Sequence, residues 1–160
     1  MITQRTFRQR ASRSVEILFA LLACLSASNN AAATLGKSEG EIAKISAALH
    51  MEQVETKTER GYSVTTLSSR GLVVKEFVDP VTKLVFGISW RGTLTPNLRI
   101  LLGFELSELK PKQAYRSLHY SHFETPNLML DMGGRMGFSQ GRAIRLDLLP
   151  SGVPRSEVMP

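Results

Sequence analysis

Cysteine is almost absent from this chain, and aromatic residues are few. The one cysteine, Cys24, lies in an N-terminal leader that we expect the mature protein to lose, so that residues 34–160 contain no thiol. Disulfides and thiol catalysis are thereby excluded for the mature chain. Aromatic residues make up only 7% of the sequence, and no block of lysine or arginine with interleaved aromatics follows the leader, which leaves nucleic-acid binding without support.

The first 33 residues have the layout of a secretory signal peptide. Residues 1–14 contain four arginines and no acidic residue, residues 17–28 form a short apolar run, and the alanines at 31–33 follow in the A-x-A pattern. The apolar run is shorter than the roughly 20 residues that a membrane-spanning helix needs, which argues against an uncleaved anchor. We therefore expect cleavage between Ala33 and Thr34, a periplasmic location and a mature protein that is not transmembrane.

A lipid anchor at Cys24 is the alternative. Leu21-Leu22-Ala23-Cys24 resembles a bacterial lipobox, in which the cysteine becomes the acylated first residue, although leucine directly before Ala23 fits that pattern poorly. On either interpretation the lost leader contains four arginines and one glutamate, so its removal lowers the formal net charge from +6 to +3. The basic character of the sequence is therefore partly a property of the leader.

An alternating segment at residues 84–91 gives the clearest structural signal. Every second position is apolar, which is the period of a strand with one apolar face. These positions are Leu84, Phe86, Ile88 and Trp90. Residues 72–78, rich in β-branched side chains, come before it, and Asp79-Pro80 cannot continue a ladder because proline has no amide hydrogen. The pattern predicts an antiparallel hairpin at the centre of the domain, with residues 51–59 and 62–67 as further strands.

Two helices are predicted to accompany the strands. Residues 38–50 have the spacing of a short amphipathic helix near the mature N-terminus. A main helix is expected over residues 96–109, with Thr95 as its cap and Pro96 at its first position. Leucines recur along one side of this segment, so we expect it to lie across the sheet.

The remaining segments are less regular. Residues 110–126 are expected to form a long loop, Gly133-Gly134 the turn of another hairpin, and residues 151–160 a loose tail. Together these elements predict an α+β domain over residues 34–150. It would contain an antiparallel sheet of about four to six strands, one main helix packed on the sheet and a short N-terminal helix.

Candidate catalytic and metal-binding residues are few. His119 and His122 are three residues apart, which on a helix would place both on one face as metal ligands, with Glu124 nearby. Their irregular surroundings favour surface histidines instead, and the sequence has neither a nucleophile elbow nor a phosphate-binding glycine loop. We therefore expect no catalytic residue, no metal and no cofactor.

Trp90, Arg91 and Arg99 are the candidates for ligand binding. They flank the loop that leads into the predicted main helix. An indole near two guanidinium groups suits an anionic or sugar-like ligand. The simpler alternative is that Trp90 packs in the core while both arginines lie at its rim.

Seven short segments, in order along the chain, resemble a family of small exported bacterial proteins known only as a domain of unknown function. They are Thr34-Leu35-Gly36 and residues 61–64, 74–80, 85–92, 96–103, 133–136 and 149–153. The resemblance implies a signal peptide, one small domain and the periplasm of a Gram-negative cell, and it supplies no catalytic residue. Asn97 departs from the family, which usually has an acidic residue there.

The sequence therefore predicts a non-enzymatic accessory or binding protein of the cell envelope, with an envelope protein as its expected partner. A small periplasmic hydrolase or ligand-binding enzyme is one alternative, and it would use His119, His122 and Glu124, or Arg91 and Arg99. A lipoprotein anchored through Cys24 is the other.

Overall fold

Eight antiparallel strands form one continuous sheet within residues 35–104, 109, 113–117 and 119–160, which are those that the computed structural model describes. The strands are β1 (Glu52–Glu59), β2 (Tyr62–Ser69), β3 (Leu72–Val78), β4 (Val85–Gly92), β5 (Gln113–Arg116), β6 (Tyr120–Glu124), β7 (Leu128–Arg135) and β8 (Phe138–Arg145). Their order in the sheet is β1-β2-β3-β4-β8-β7-β6-β5, so that two meanders meet where β4 pairs with β8. The predicted leader, with Cys24 and Ala33, lies outside the described residues, and so does Thr34, the predicted first residue of the mature chain.

This architecture corrects the expected fold class, because the sheet has eight strands rather than four to six and the helices of the described residues are all short. The two unexpected strands, β5 and β6, lie in the segment for which a long loop was predicted. In β6, Tyr120, His122 and Glu124 alternate with Ser121 and Phe123, and most of these side chains are half-buried. Neither set is consistently apolar, so the period of a strand is hidden in the sequence.

The prediction of a main helix over residues 96–109 is also wrong. Its place is taken by a five-residue helix, α2 (Leu98–Leu102). The side chain of Asn97, not that of Thr95, caps it by accepting two backbone N–H groups of the first turn at 3.1 and 3.3 Å. Gly103 ends the helix in the left-handed conformation, with φ of 82°, which a glycine adopts without strain.

The turn between β7 and β8 lies further along than predicted. Gly133 and Gly134 belong to β7, where they pair with residues of β8, and the chain turns at Met136 and Gly137 instead. A side chain on Gly134 would place its Cβ 2.5 Å from the carbonyl oxygen of Phe138. This glycine is therefore required by a close approach between strands.

One face of the sheet, here called the helix-covered face, carries the larger apolar core. Its buried side chains include Leu67, Val74, Ile88, Trp90 and Leu130. The short helix α1 (Ile42–Ala48), which follows a 3-10 turn at Glu39–Glu41, contributes Ile42 to this core, and α2 contributes Leu101 and Leu102. Neither helix of the described residues is long and apolar enough to cross a membrane.

The opposite face, here called the tail-covered face, is closed by the C-terminal segment. The rings of Tyr62, Phe77 and Phe86 contact one another there, with centroids 5.9 to 6.3 Å apart. Val153 and Val158 pack onto this cluster and are buried. The last residues of the chain thus complete a second core.

Hydrogen bonds also attach this segment, residues 151–160, to the sheet, although the sequence predicts a loose tail. The hydroxyl of Tyr62 donates to Glu157 at 2.9 Å, and the hydroxyl of Ser89 donates to the carbonyl oxygen of Met159 at 2.7 Å. Burial, and then the hydrogen bond to Glu157, raises the pKa of Tyr62 to about 12. The spaced valines that anchor the segment are too few to produce a periodic signal.

Truncation of Val158 to alanine is expected to destabilise the whole domain by about 1 to 3 kcal/mol, because this side chain is fully buried. The neighbouring Met159→Ala is the matched control. Its side chain is exposed and its carbonyl group is retained, so the free energy of unfolding should change by less than about 0.5 kcal/mol. Urea unfolding measures both, and equal values for the two variants would show that the tail is not part of the folded core.

Candidate functional site

The predicted ligand-binding residues do not form one site. Trp90 and Arg91 are neighbours in β4, and successive side chains of a strand point to opposite faces. Trp90 is buried on the helix-covered face, whereas Arg91 is exposed on the tail-covered face near Lys75. Burial, and then the charge of Arg91, lowers the pKa of Lys75. Arg99 is exposed on α2.

A cavity of about 540 Å³ opens beside Trp90. Trp90 pairs with Gly141 of β8, and a Cβ on that glycine would collide with the six-membered ring of the indole. Gly141 in turn pairs with Met132 of β7, which also lines the cavity. The glycine therefore lets the indole lie flat across the neighbouring strand at the wall of the cavity.

The indole nitrogen of Trp90 is a buried donor for which the described part of the chain supplies no acceptor. Trp90 is 1% exposed, and its Nε1–H has no hydrogen-bond partner among the described residues. Leaving such a donor unsatisfied costs about 1 to 3 kcal/mol. Buried donors in proteins are nearly always satisfied, so an orphan of this kind, in a side chain that lines a cavity, makes that cavity the candidate ligand site.

The other residues that line this cavity, here called the Trp90 cavity, are mixed in character. Thr95, Ser121 and Ser139 bring hydroxyl groups, and His119 and Arg135 bring N–H donors. No carboxylate is among the described residues that line it. Sequence reasoning found Trp90 but missed His119 and Arg135 as its neighbours, because their positions depend on the pairing of strands far apart in sequence.

A second polar group, centred on Asp131, lies on the tail-covered face. Asp131 is 8% exposed and accepts hydrogen bonds from the Tyr120 hydroxyl at 2.7 Å, from His122 Nδ1 at 2.6 Å and from Arg142 Nε at 2.8 Å. Tyr120 and His122 are two residues apart on β6 and therefore lie on the same face of the sheet. His122 pairs with Asp131 of β7, and Asp131 pairs with Arg142 of β8, which brings the four residues together. Each of the three donors provides one hydrogen bond to the buried carboxylate of Asp131.

The carboxyl group of Asp131 is held ionised by these donors. Burial alone raises the pKa of Asp131, but the hydrogen bonds from His122, Tyr120 and Arg142 together outweigh it and lower the pKa below its usual range. The same bond to Asp131, followed by burial, raises the pKa of Tyr120. The arrangement is therefore a fixed anion surrounded by donors.

The predicted pair of histidines is divided between two places. His122 belongs to the Asp131 group, and its Nε2 lies 3.6 Å from Glu124, while His119 lines the Trp90 cavity. Glu124 also contacts Arg155 of the C-terminal segment at 3.4 Å. Among the residues that the structure describes, no three His, Cys, Asp or Glu side chains are arranged to hold a metal ion.

Fold and cavity together define an antiparallel-sheet domain with a candidate ligand site. The sequence matches the family described as "Protein of unknown function (DUF2844)" over residues 31–158, and the chain belongs to that family. The resemblance to a domain of unknown function is thereby confirmed, whereas export stays a prediction. No curated protein and no solved structure matches the chain.

Replacement of Asp131 by asparagine is expected to destabilise the fold by about 1 to 3 kcal/mol at pH 7, because three donors lose a buried charged acceptor. The lowered pKa of Asp131 means that its ionised form stabilises the fold above the unfolded pKa of about 3.9 and that this contribution is lost as pH falls through the folded pKa. The difference from the wild type in urea unfolding should therefore shrink below about pH 4.

Asp147→Asn provides the matched control. Asp147 forms an ion pair with Arg145 at 2.7 Å near the surface, and such pairs contribute less than about 1 kcal/mol. A loss in Asp147→Asn as large as that in Asp131→Asn would contradict the special position of Asp131.

Proposed function

We propose that this chain is an exported, non-enzymatic binding protein of the cell envelope that takes a small ligand into the Trp90 cavity. The observation that carries the proposal is the buried indole N–H of Trp90, which lacks an acceptor among the described residues and belongs to a side chain that lines a cavity of about 540 Å³. This volume falls within the range of small-molecule sites. A protein partner in the envelope is compatible with this role and stays a prediction.

The alternative of a small hydrolase has weaker support. His122 and Glu124 lie together, but Nδ1 of His122 is bonded to Asp131, and His119 is at the cavity instead. The carboxylate of Asp131 accepts hydrogen bonds from three neighbouring side chains, which suits a structural role because these bonds use its accepting positions within the protein. Arg91 and Arg99 do not line the Trp90 cavity either.

Binding can be measured directly because the chain contains one tryptophan. In a ¹⁵N-labelled sample the indole N–H of Trp90 gives one resonance, and a fragment that accepts its hydrogen bond should move that resonance downfield. Ser139→Leu, which narrows the cavity, should weaken binding of these fragments about tenfold or more, a loss of about 1.4 kcal/mol. Thr58→Leu, an exposed change in β1, is the control. If no fragment of a diverse library shifts the resonance, the binding role is wrong.

Export forms the second part of the proposal, and the mass of the mature protein tests it. After expression in a Gram-negative host, the periplasmic fraction should contain a chain that begins at Thr34. Cys24→Ser should leave both mass and location unchanged. A mature chain that begins with an acylated Cys24, and that this substitution removes from the membrane fraction, would establish the lipoprotein alternative instead.

A further inference from the structure

We infer that the ligand of the Trp90 cavity is a small organic anion: an acidic head group, such as a carboxylate, attached to an apolar body. This inference rests on the proposed binding function and specifies its ligand class. Three properties of the cavity carry it, namely the sign of its charge, the orphan indole donor and the apolar side chains at its rim.

The charge of the lining is positive. Arg135 lines the cavity and is exposed, and it has no ion pair with another described residue. His119 adds an imidazole, and the lining residues that the structure describes include no carboxylate. Asp131, which precedes the lining residue Met132 in β7, is paired with Arg142 on the opposite face. An anion in the cavity would therefore meet the guanidinium of Arg135 and no carboxylate among the described residues of the lining.

The orphan donor fits the same ligand. Tryptophan Nε1 only donates, so it selects an acceptor and gains nothing from an ammonium group. A bond to a charged acceptor is stronger than a bond to a neutral one. An acidic head group that reaches Trp90 would therefore satisfy the buried N–H more strongly than an alcohol would.

Apolar side chains provide for the rest of the ligand. Met136 is fully exposed at the tip of the β7–β8 hairpin, and Phe138, also exposed, follows it. Both line the cavity together with the half-buried Met132. Exposed large apolar side chains that converge at the rim of a polar cavity favour an apolar body over a second polar group.

A matched series of six-carbon probes tests the inference: hexanoate, hexan-1-ol and hexylammonium. Their apolar bodies are the same and only the head group differs. In titrations followed by the indole resonance of Trp90, we expect hexanoate to bind about tenfold more tightly than hexan-1-ol, and hexylammonium more weakly than either.

Arg135→Gln should lower the affinity for hexanoate about three- to tenfold and leave that for hexan-1-ol unchanged. Arg60→Gln is the charge-matched control, because Arg60 is exposed and lies outside the cavity lining. It should affect neither probe. An equal effect of both substitutions would assign the preference to net charge and overturn the role of Arg135.

The remaining outcomes separate the two proposals. Equal affinity for hexanoate and hexan-1-ol, or tighter binding of hexylammonium, would overturn the anionic class while leaving the binding function in place. The class would also be wrong if the whole series failed while other fragments shifted the Trp90 resonance. If no fragment of any kind shifted it, the binding function itself would fail and this inference with it.

Discussion

The pairing of β4 with β8 is the constraint on which the rest of the structure depends. Strands β1 to β4 and β5 to β8 are each built from neighbours in sequence, and this ladder, from Gly87↔Ile144 to Gly92↔Ser139, joins the two meanders. It requires contacts between residues about fifty positions apart, so its closure entropy must be offset by the cores on both faces. Trp90 and Gly141 pair within this ladder, and the candidate cavity lies beside them.

Strand periodicity in the sequence was informative only where one set of side chains is apolar. The predicted hairpin of β3 and β4 is confirmed, and Ile88 and Trp90 face the helix-covered core. The single apolar face is not, because the register shifts at Phe86 and its ring packs on the tail-covered face. The outer strands β5 and β6 were missed, since the half-buried positions of β6 carry serine, histidine and glutamate as well as one phenylalanine. When an inward-facing position carries a polar residue whose hydrogen bonds are supplied by other side chains, the sequence does not show the apolar alternation that marks a strand.

The length of α2 was overestimated for a different reason. The leucine spacing beyond residue 102 indicates a helix, but the left-handed Gly103 stops it after Leu102. A glycine within a leucine-rich segment can be read as a tolerated interior residue or as a cap. The asparagine at the other end was the better local signal, because Asn97 is a stronger cap than Thr95.

Of the residues that line the candidate site, Trp90 was predicted from the sequence as a binding residue, but the residues around it were not. Trp90 was singled out for its indole, and it does line a cavity, but the arginine expected beside it points to the other face. The residues that do lie near it, His119 and Arg135, come from strand ends brought together by register. Pairing between distant strands is set by the packing of the whole sheet, and a single sequence contains no direct record of it.

The closure of the tail-covered face has a consequence for the order of events during synthesis. Val158 lies against Gly87, whose lack of a side chain leaves room for it: a Cβ there would be 2.9 Å from the valine methyl. The aromatic cluster of Tyr62, Phe77 and Phe86 therefore stays uncovered until residue 158 has left the ribosome. A nascent chain in this state exposes apolar surface, and such surfaces are where holding chaperones bind. Covering of this apolar face therefore depends on the synthesis of Val158, even after the eight strands have been made.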